Sequence, residues 1–511
     1  MLNHLHRLLP WCWGKRAREP WSLDNPLLHL SRQDVWTLRD AVAGCLILGE
    51  SGGGKTSGSG QTIAESFLDA GMGGLVCAAK TEEIATWQKY CARTGRTKDL
   101  ILFSPDRSLR YNFLDDELHS SAGHAGGATL NVVAMLLSVL EVVNRIGSGG
   151  NAGRGESGGD GDPYWKNSAR QLISQTVDLL VMSRDRVRML DIQRIIASIP
   201  QTADQVRDPD WQRESLCYRC IMEADALTMP DERREDLEMI VAYFLDELAK
   251  LSPKTRGVIV SCVGAMTDTL LRGMCRTLFC TNTNITPALC GEGKIIVVAI
   301  PVKEFRESGL IANMIWKTGF QRWAERRDVA ANPRPVFQWL DEAPNFISSG
   351  DQVFQASCRS SRVATVMLGQ NISGFYSALG GGDKGKAESD SLFGNLATKA
   401  FHSSSDPVTN RWASELIGDR VRLLMNGNSS RPEPMWSSAA LGSQESGISS
   451  AGFSESVLPM VTPAEFISLR SGGPANKGCV DAIIVKSGTG FNSTGRNWMK
   501  CTFSQVPSDR R

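Results

Sequence analysis

The sequence predicts an α/β fold with a mostly parallel central sheet and an inserted all-α domain, on three observations. Short continuous apolar runs recur at residues 41–48 (AVAGCLIL), 74–79 (GLVCAA), 100–103 (LILF), 294–300 (KIIVVAI), 336–340 (VFQWL) and 363–369 (VATVMLG), as strands covered on both faces do. A glycine-rich loop follows the first run and opens a helix-compatible segment. From about Asp115 helical periodicity takes over, and strands return only near residue 294.

The loop is the most specific of these. Residues 45–60 read CLILGESGGGKTSGSG, and Gly49 to Thr56 fit G-x-x-x-x-G-K-[ST], the phosphate loop of nucleotide-binding proteins. Backbone N–H groups of Gly49, Glu50, Ser51, Gly52, Gly53 and Gly54, with Ser57 behind them, are expected to cradle phosphate oxygens. Lys55 would reach the β and γ phosphates, and the Thr56 hydroxyl would ligate Mg²⁺. A helix from Ser57 to about Ala70 would direct its positive end at the same anion. The expected ligands are ATP and Mg²⁺.

Length and composition bound the remainder. At 511 residues the chain exceeds one compact core, so two or three domains are expected. Lys plus Arg number 56 against 55 Asp plus Glu, so no bulk positive field announces nucleic acid, although a few basic loops suffice to grip a phosphate backbone. Thirteen scattered cysteines fit reduced thiols in the cytoplasm better than a disulfide framework. Cys217 and Cys220 form the one close pair, with Cys275 and Cys280 at the wrong spacing for a familiar zinc finger.

The most apolar run, residues 129–143, carries Asn131, Ser138 and Glu141 and falls short of the roughly 20 residues a bilayer needs; it reads as a buried helix. The N-terminal MLNHLHRLLPWCWGKRAR reads as a disordered or partner-docking arm, or as an interfacial membrane foot. Residues 81–95 suggest a helix, as do residues 130–143, 165–182, 191–198 and 235–251. Between the first two of this last group, residues 147–162 are half glycine and are expected to form a mobile loop.

In the later α/β part, a helix is expected from Glu307 to about Arg327. The strand 336–340 delivers Asp341 and Glu342 at its carboxyl end: an aspartate for the Mg²⁺ shell and a glutamate to orient or deprotonate the attacking water. The strand 363–369 ends at Gln370, a candidate γ-phosphate sensor. Arg359 and Arg362 precede it, either able to serve a neighbouring subunit's nucleotide, with Arg359 favoured. The Ser- and Gly-rich tract 437–456 reads as a surface loop, and CVDAIIVKSG as a late strand.

Together these residues resemble the conjugative coupling ATPases of type IV secretion, the TraG/TraD kind, within the FtsK and HerA superfamily of hexameric DNA pumps. The resemblance runs from about Trp21 to Gln505. It rests on the phosphate loop, on YWKNSARQLI at residues 164–173, on LDEAPNF, on Arg359 eleven residues before Gln370, and on DPVTNRWASELIG at residues 406–418. It implies a RecA-like P-loop NTPase domain interrupted by an all-α domain and assembled as a homo-hexamer, with Arg359 as an arginine finger and Gln370 coupling phosphate loss to movement. Three departures stand out. The phosphate loop is reached within fifty residues without the family's transmembrane helices, and Ser361 and Arg362 occupy the place of a glycine shortly after the finger. Gly53 also replaces a usual serine.

The implied layout is an arm over residues 1–40, a nucleotide-binding domain over 41–115 and 256–511, and the helical domain over 116–255. The implied function is an ATP-driven motor moving DNA, single-stranded and relaxase-linked, to a secretion channel. A channel or membrane-anchor protein is the further partner, and the location is cytoplasmic or peripheral at the inner membrane. Two alternatives stay open: a soluble HerA/FtsK-type pump or helicase, and a nucleotide-gated adaptor recruiting protein substrates.

Overall fold

The computed structural model describes residues 20–121, 128–147, 163–430 and 448–505. They group into two compact units, one of residues 20–46, Gly60–Gly369 and Gly374–Thr398, the other of Ile47–Ser59, Gln370–Ser373 and the chain from Lys399 onward.

In the first unit the described part of the N-terminal segment is folded. Strands β1 (Pro26–His29) and β2 (Val35–Thr37) pair antiparallel, and Thr37 caps a helix, Leu38–Val42, in a capping box with Asp40. This helix corrects the strand expected over residues 41–48. Ala41 and Val42 close the helix, Gly44 turns the chain at φ 84°, and only β3 (Cys45–Leu48) is extended. A Cβ at Gly44 would sit 2.5 Å from the Gln355 side chain, so glycine is required there.

Five parallel strands follow: β4 (Gly73–Cys77), β5 (Leu100–Phe103), β6 (Ile295–Val298), β7 (Val336–Leu340) and β8 (Val363–Gly369). Their spatial order is β8-β7-β4-β6-β5. Every residue of β4, β6, β7 and β8 is buried, which is why these runs are apolar without alternation. Phe337 and Trp339 point to one face, where Trp87 stacks on Phe337 at 5.5 Å and Phe67 lies 5.7 Å from the same ring. The helices Gln61–Asp69 and Thr81–Arg93 supply Phe67 and Trp87.

Leu340 is in register with Cys77, Cys77 with Val298, and Val298 with Phe103, so these four share the opposite face. There Trp316 of the helix Val302–Arg326 meets Phe103 at 5.0 Å and Tyr111 at 4.6 Å. Arg306, at φ 48° and ψ −119°, breaks that helix near its start, so its regular part begins about where the sequence places it.

Between residues 113 and 279 the described chain is helical, with no strand among the described residues. The helix Ala128–Gly147 buries Val132, Val133, Leu136 and Val139 but leaves Leu130 62% exposed; it is one-sided rather than wholly buried. Among the described residues no helix is long and apolar enough to cross a membrane. The glycine-rich segment falls almost wholly on residues 148–162, outside the described residues, as does the N-terminal run to residue 19.

In the second unit β9 (Thr398–Phe401) neighbours the later β12 (Cys479–Lys486), which pairs antiparallel with β13 (Trp498–Ser504). The intervening strands β10 (Asp419–Ser430) and β11 (Ile448–Pro459) form an antiparallel ribbon. That ribbon corrects the expected loop over 437–456. From Ile448 the Ser- and Gly-rich tract is a strand, its extended backbone held by the β10 ladder rather than by side-chain propensity; residues 431–447 lie outside the described residues. The helix Pro407–Ile417 has Asp406 as its cap, Pro407 in its first turn and Gly418 at φ 93° at its end.

Candidate nucleotide site

The phosphate loop lies wholly in the second unit. Gly52 and Gly54 adopt φ 79° and 86°, conformations that let successive N–H groups turn toward one anion. A Cβ at Gly53 would lie 2.9 Å from the Ser403 carbonyl oxygen, so this position of the loop calls for glycine. The Gly53 N–H donates to the Glu50 carbonyl at 3.0 Å. Lys55 is 7% exposed. The expected helix opens with a wide turn, Thr56–Gly60, before the regular stretch Gln61–Asp69.

Late segments of the chain hold this loop. Its Glu50 N–H donates to the Ser403 carbonyl at 2.9 Å, and the Glu50 carboxylate accepts from the Ser405 hydroxyl at 3.0 Å. The Gln505 amide donates to the Ser57 hydroxyl at 2.6 Å. Ser59 Oγ lies 2.7 Å from His402 Nε2, and His402 Nδ1 lies 3.1 Å from the Asp481 carbonyl oxygen. Ser59 is fully buried and His402 nearly so, and burial, with Lys55 nearby, pushes the imidazole down to about 4. Asp481 holds Arg470 at 2.7 Å and Thr502 at 2.8 Å. No spacing in the sequence picks out Ser59, His402 or Gln505.

The acidic pair stands in the first unit, directly after β7. Asp341 is 6% exposed and its Oδ1 accepts the Glu342 N–H at 2.9 Å. Glu342 adopts φ 51° and ψ 49°, a left-handed conformation that costs a non-glycine residue energy and clusters at functional positions. Lys80, at the end of the neighbouring β4 run, donates to Glu342 Oε1 at 2.7 Å. Burial alone would lower the Lys80 ammonium, but its bond to Glu342 and the charges of Glu342, Asp341 and Glu83 outweigh this and raise it. Burial, then Asp341, pushes the Glu83 carboxyl up, so Glu83 retains its proton well above the usual carboxylate range. Lys80 is the residue sequence reasoning missed that had a signal: a cation directly after a fully apolar strand, at the edge where open α/β sheets build sites.

Arg359 is exposed on the turn before β8, and Gln370, just after it, is exposed. The Arg362 guanidinium donates to the carbonyls of Trp21 and Pro333, both at 2.9 Å, and its backbone sits at φ 53°, the conformation a glycine would favour. Cys217 and Cys220 are both buried on the helix Leu216–Asp225, and burial pushes both thiols up. Among the described residues no group of three or more His, Cys, Asp or Glu could hold a metal ion by itself.

Residues 335–470, which include the acidic pair, Arg359 and Gln370, match the family described as the TraM recognition site of TraD and TraG. Among solved structures the chain is similar to the bacterial conjugative coupling protein TrwBdeltaN70 in its unbound form, at 14% identity and a TM-score of 0.55 over 94% of this chain and 90% of that one. It is similarly close to the plasmid coupling protein TrwB in complex with ADP and Mg²⁺, at 14% identity and a TM-score of 0.56 over 93% and 89%. No curated protein matches the sequence. The chain therefore has the α/β P-loop NTPase fold of the conjugative coupling proteins, and its residues 335–470 carry the TraD and TraG sequence pattern.

Proposed function

We propose that the chain is the ATP-driven motor of a conjugative coupling complex, moving DNA toward a type IV secretion channel. The observation that carries this reading is the strained Glu342 beside buried Asp341 at the carboxyl end of a central parallel strand, inside the segment that matches TraD and TraG. In the reading, Gly49 to Thr56 hold the triphosphate, Lys55 neutralises its β and γ oxygens, and Thr56 and Asp341 hold Mg²⁺. That ion would supply charge neutralisation on the phosphates. Glu342 accepts the proton of the attacking water, and Gln370 senses the γ-phosphate.

Arg359 is the arginine finger supplied to the neighbour in a homo-hexamer. Its exposure supports the choice, as does the engagement of Arg362 with two carbonyls. TrwB has been seen with ADP and Mg²⁺, which supports ATP and Mg²⁺ as ligands here. The partners in this reading are DNA carried with its relaxase, and a relaxosome protein of the TraM kind, after the matched family's description. A channel or anchor protein is the third, placing the chain in the cytoplasm or at the inner membrane's surface.

The test is ATP hydrolysis by the purified protein with and without single-stranded DNA. Stimulated turnover lost in Lys55→Ala and Glu342→Gln is expected. Turnover indifferent to DNA in an assembled ring would overturn the motor reading, and protein-substrate binding without DNA affinity at low salt would favour a recruiting adaptor.

A further inference from the structure

In the first unit β5 ends the strand order β8-β7-β4-β6-β5, paired with β6 on one side only. Along a parallel ladder one residue turns both its N–H and its C=O to the neighbouring strand, and the next turns both away. The Phe103 carbonyl accepts from the Ala299 N–H at 2.9 Å, so Phe103 and Ile101 face β6 while Leu102 directs both its main-chain groups outward. No loop or side chain among the described residues bonds to either of them. Leu100 turns the same way; its N–H is taken by the Thr97 carbonyl, and its own carbonyl points outward. Sheets usually protect such an edge with charge, proline or a bulge. The run LILF carries neither charge nor proline, and its register with β6 is unbroken. Its shortness is its protection.

A groove of about 490 Å³ borders this edge, with Leu100 and Leu102 on one side and Leu109, Ile285 and Leu289 among the residues opposite. Ile285 is buried, while Leu109 and Leu289 are half-buried. The far wall is fixed before anything binds. The Asn284 N–H donates to the Arg110 carbonyl at 3.0 Å, the Arg110 N–H donates to Asn284 Oδ1 at 2.7 Å, and Asn284 Nδ2 donates to the Ser108 carbonyl at 2.9 Å. Arg107 is exposed and is the only charged side chain among the described residues lining the groove. The adjacent Asp106 carboxylate is turned to the Ser104 hydroxyl.

We propose that the free edge of β5 captures an extended segment of a partner protein, with apolar residues at alternate positions and an Asp or Glu beside them. The segment's main chain completes the edge, one of its carbonyls accepting from Leu102 N–H and its N–H groups donating to the Leu100 and Leu102 carbonyls. Alternate side chains of a strand point to one face, so its apolar residues enter the groove against Leu109, Ile285 and Leu289 while its acid meets Arg107. Nucleic acid fits this surface poorly: one cation is a weak grip on a phosphate backbone, and no aromatic ring among the described lining residues offers a base a stacking platform. A second copy presenting its own LILF brings no carboxylate in that strand to Arg107. Capture at β5 needs no ATP, so its test is separate from that of the motor.

The probes are two fluorescein-labelled peptides, Thr-Val-Thr-Val-Glu-Val-Thr and the same peptide with Lys in place of Glu, titrated by anisotropy into the full-length protein. Wild type is expected to bind the Glu peptide more tightly than the Lys peptide and to show slowed hydrogen exchange over residues 100–103 when it is bound. Arg107→Glu, at an exposed position, should invert that preference. Leu102→Pro removes the outward N–H without taking a bond from the β6 ladder, a place where an edge strand tolerates proline. It should weaken binding by about tenfold relative to Leu102→Ala, which trims the side chain but keeps the N–H. Thermal melting checks each fold, and if Leu102→Pro does not fold, the charge inversion at Arg107 decides alone. The proposal fails if wild type binds neither peptide at about 1 mM, or if Arg107→Glu leaves the preference unchanged. It also fails if folded Leu102→Pro binds as well as Leu102→Ala. Slowed exchange over 100–103 with a single-stranded oligonucleotide in place of peptide would assign the edge to nucleic acid instead, and a dimer by mass that Leu102→Pro abolishes would assign it to a second copy.

Discussion

His402 Nε2 accepts a hydrogen bond from the Ser59 hydroxyl across 2.7 Å, joining the end of the phosphate loop to the residue after β9. The tautomer follows from the other ring nitrogen. Nδ1 faces the Asp481 carbonyl, which only accepts, so Nδ1 carries the proton and Nε2 is left as the acceptor. The ring is a neutral spacer with both nitrogens used, and it fixes the floor beneath Gly49 and Gly58, whose added Cβ atoms would meet His402 at 2.7 and 3.5 Å.

His402→Phe keeps a flat aromatic ring, somewhat larger, but leaves the Ser59 hydroxyl and the Asp481 carbonyl buried without this partner. Each such group costs about 1–3 kcal/mol, so urea unfolding should show a loss of that order or more. Nucleotide affinity should fall with it, read by titration with a fluorescent ATP analogue. Ser59→Ala, which removes only the hydroxyl, should cost less than His402→Phe.

The same histidine sets a pH dependence. Its folded value, about 4, lies below its ordinary 6.5, so the unfolded chain binds the proton more readily. This contribution to stability is complete above pH 6.5 and is lost as pH falls through the folded value. Wild type should lose stability between these limits more steeply than His402→Phe, with a difference of about 3 kcal/mol at the acid end, measured by denaturant midpoints across pH.

Lys317 and Asp351 form an ion pair at 2.5 Å with both side chains fully buried. Asp351 also accepts from Gln321 at 2.7 Å and from the Ser348 N–H at 2.7 Å. Lys317→Met strands a buried charge and should destabilise the protein by about 3–5 kcal/mol. Lys317→Met with Asp351→Asn removes that charge and should recover a large part of the loss, as a thermal-melt comparison would show.

Arg359→Ala and Lys55→Ala subunits should each be inactive alone. If Arg359 serves the neighbour, rings shown by mass to be mixed should regain part of the ATPase rate, because some interfaces then pair an intact loop with an intact finger. No rescue in such rings would move the role away from Arg359.

Much of the fold was legible because burial on two faces forces local composition. The runs that became β4, β5, β6, β7 and β8 could not be apolar throughout in a half-solvated sheet, and Gly52 and Gly54 before Lys55 supply the positive φ of the phosphate turn that other residues rarely adopt. The errors have equally local causes. Ala41 and Val42 are as apolar as a strand, but the Thr37 and Asp40 capping box starts a helix before them. The residues from Ile448 to Ser456 look like a loop because their strand character comes from pairing with β10, not from their side chains.

By itself the sequence determined the strand-loop-helix phosphate motif, the carboxyl-end position of Asp341 and Glu342, and the helical segment, all properties of neighbours along the chain. Only the tertiary structure decided what holds them: Gln505 on Ser57, His402 under Ser59, Lys80 on Glu342. These partners are separated by 448, 343 and 262 positions, and a hydrogen bond between residues that far apart leaves no periodicity, propensity or spacing in the sequence. Each exists because packing within its own unit brings distant strand and loop ends together, and a single charge or ring nitrogen there acquires a role its own neighbourhood does not reveal.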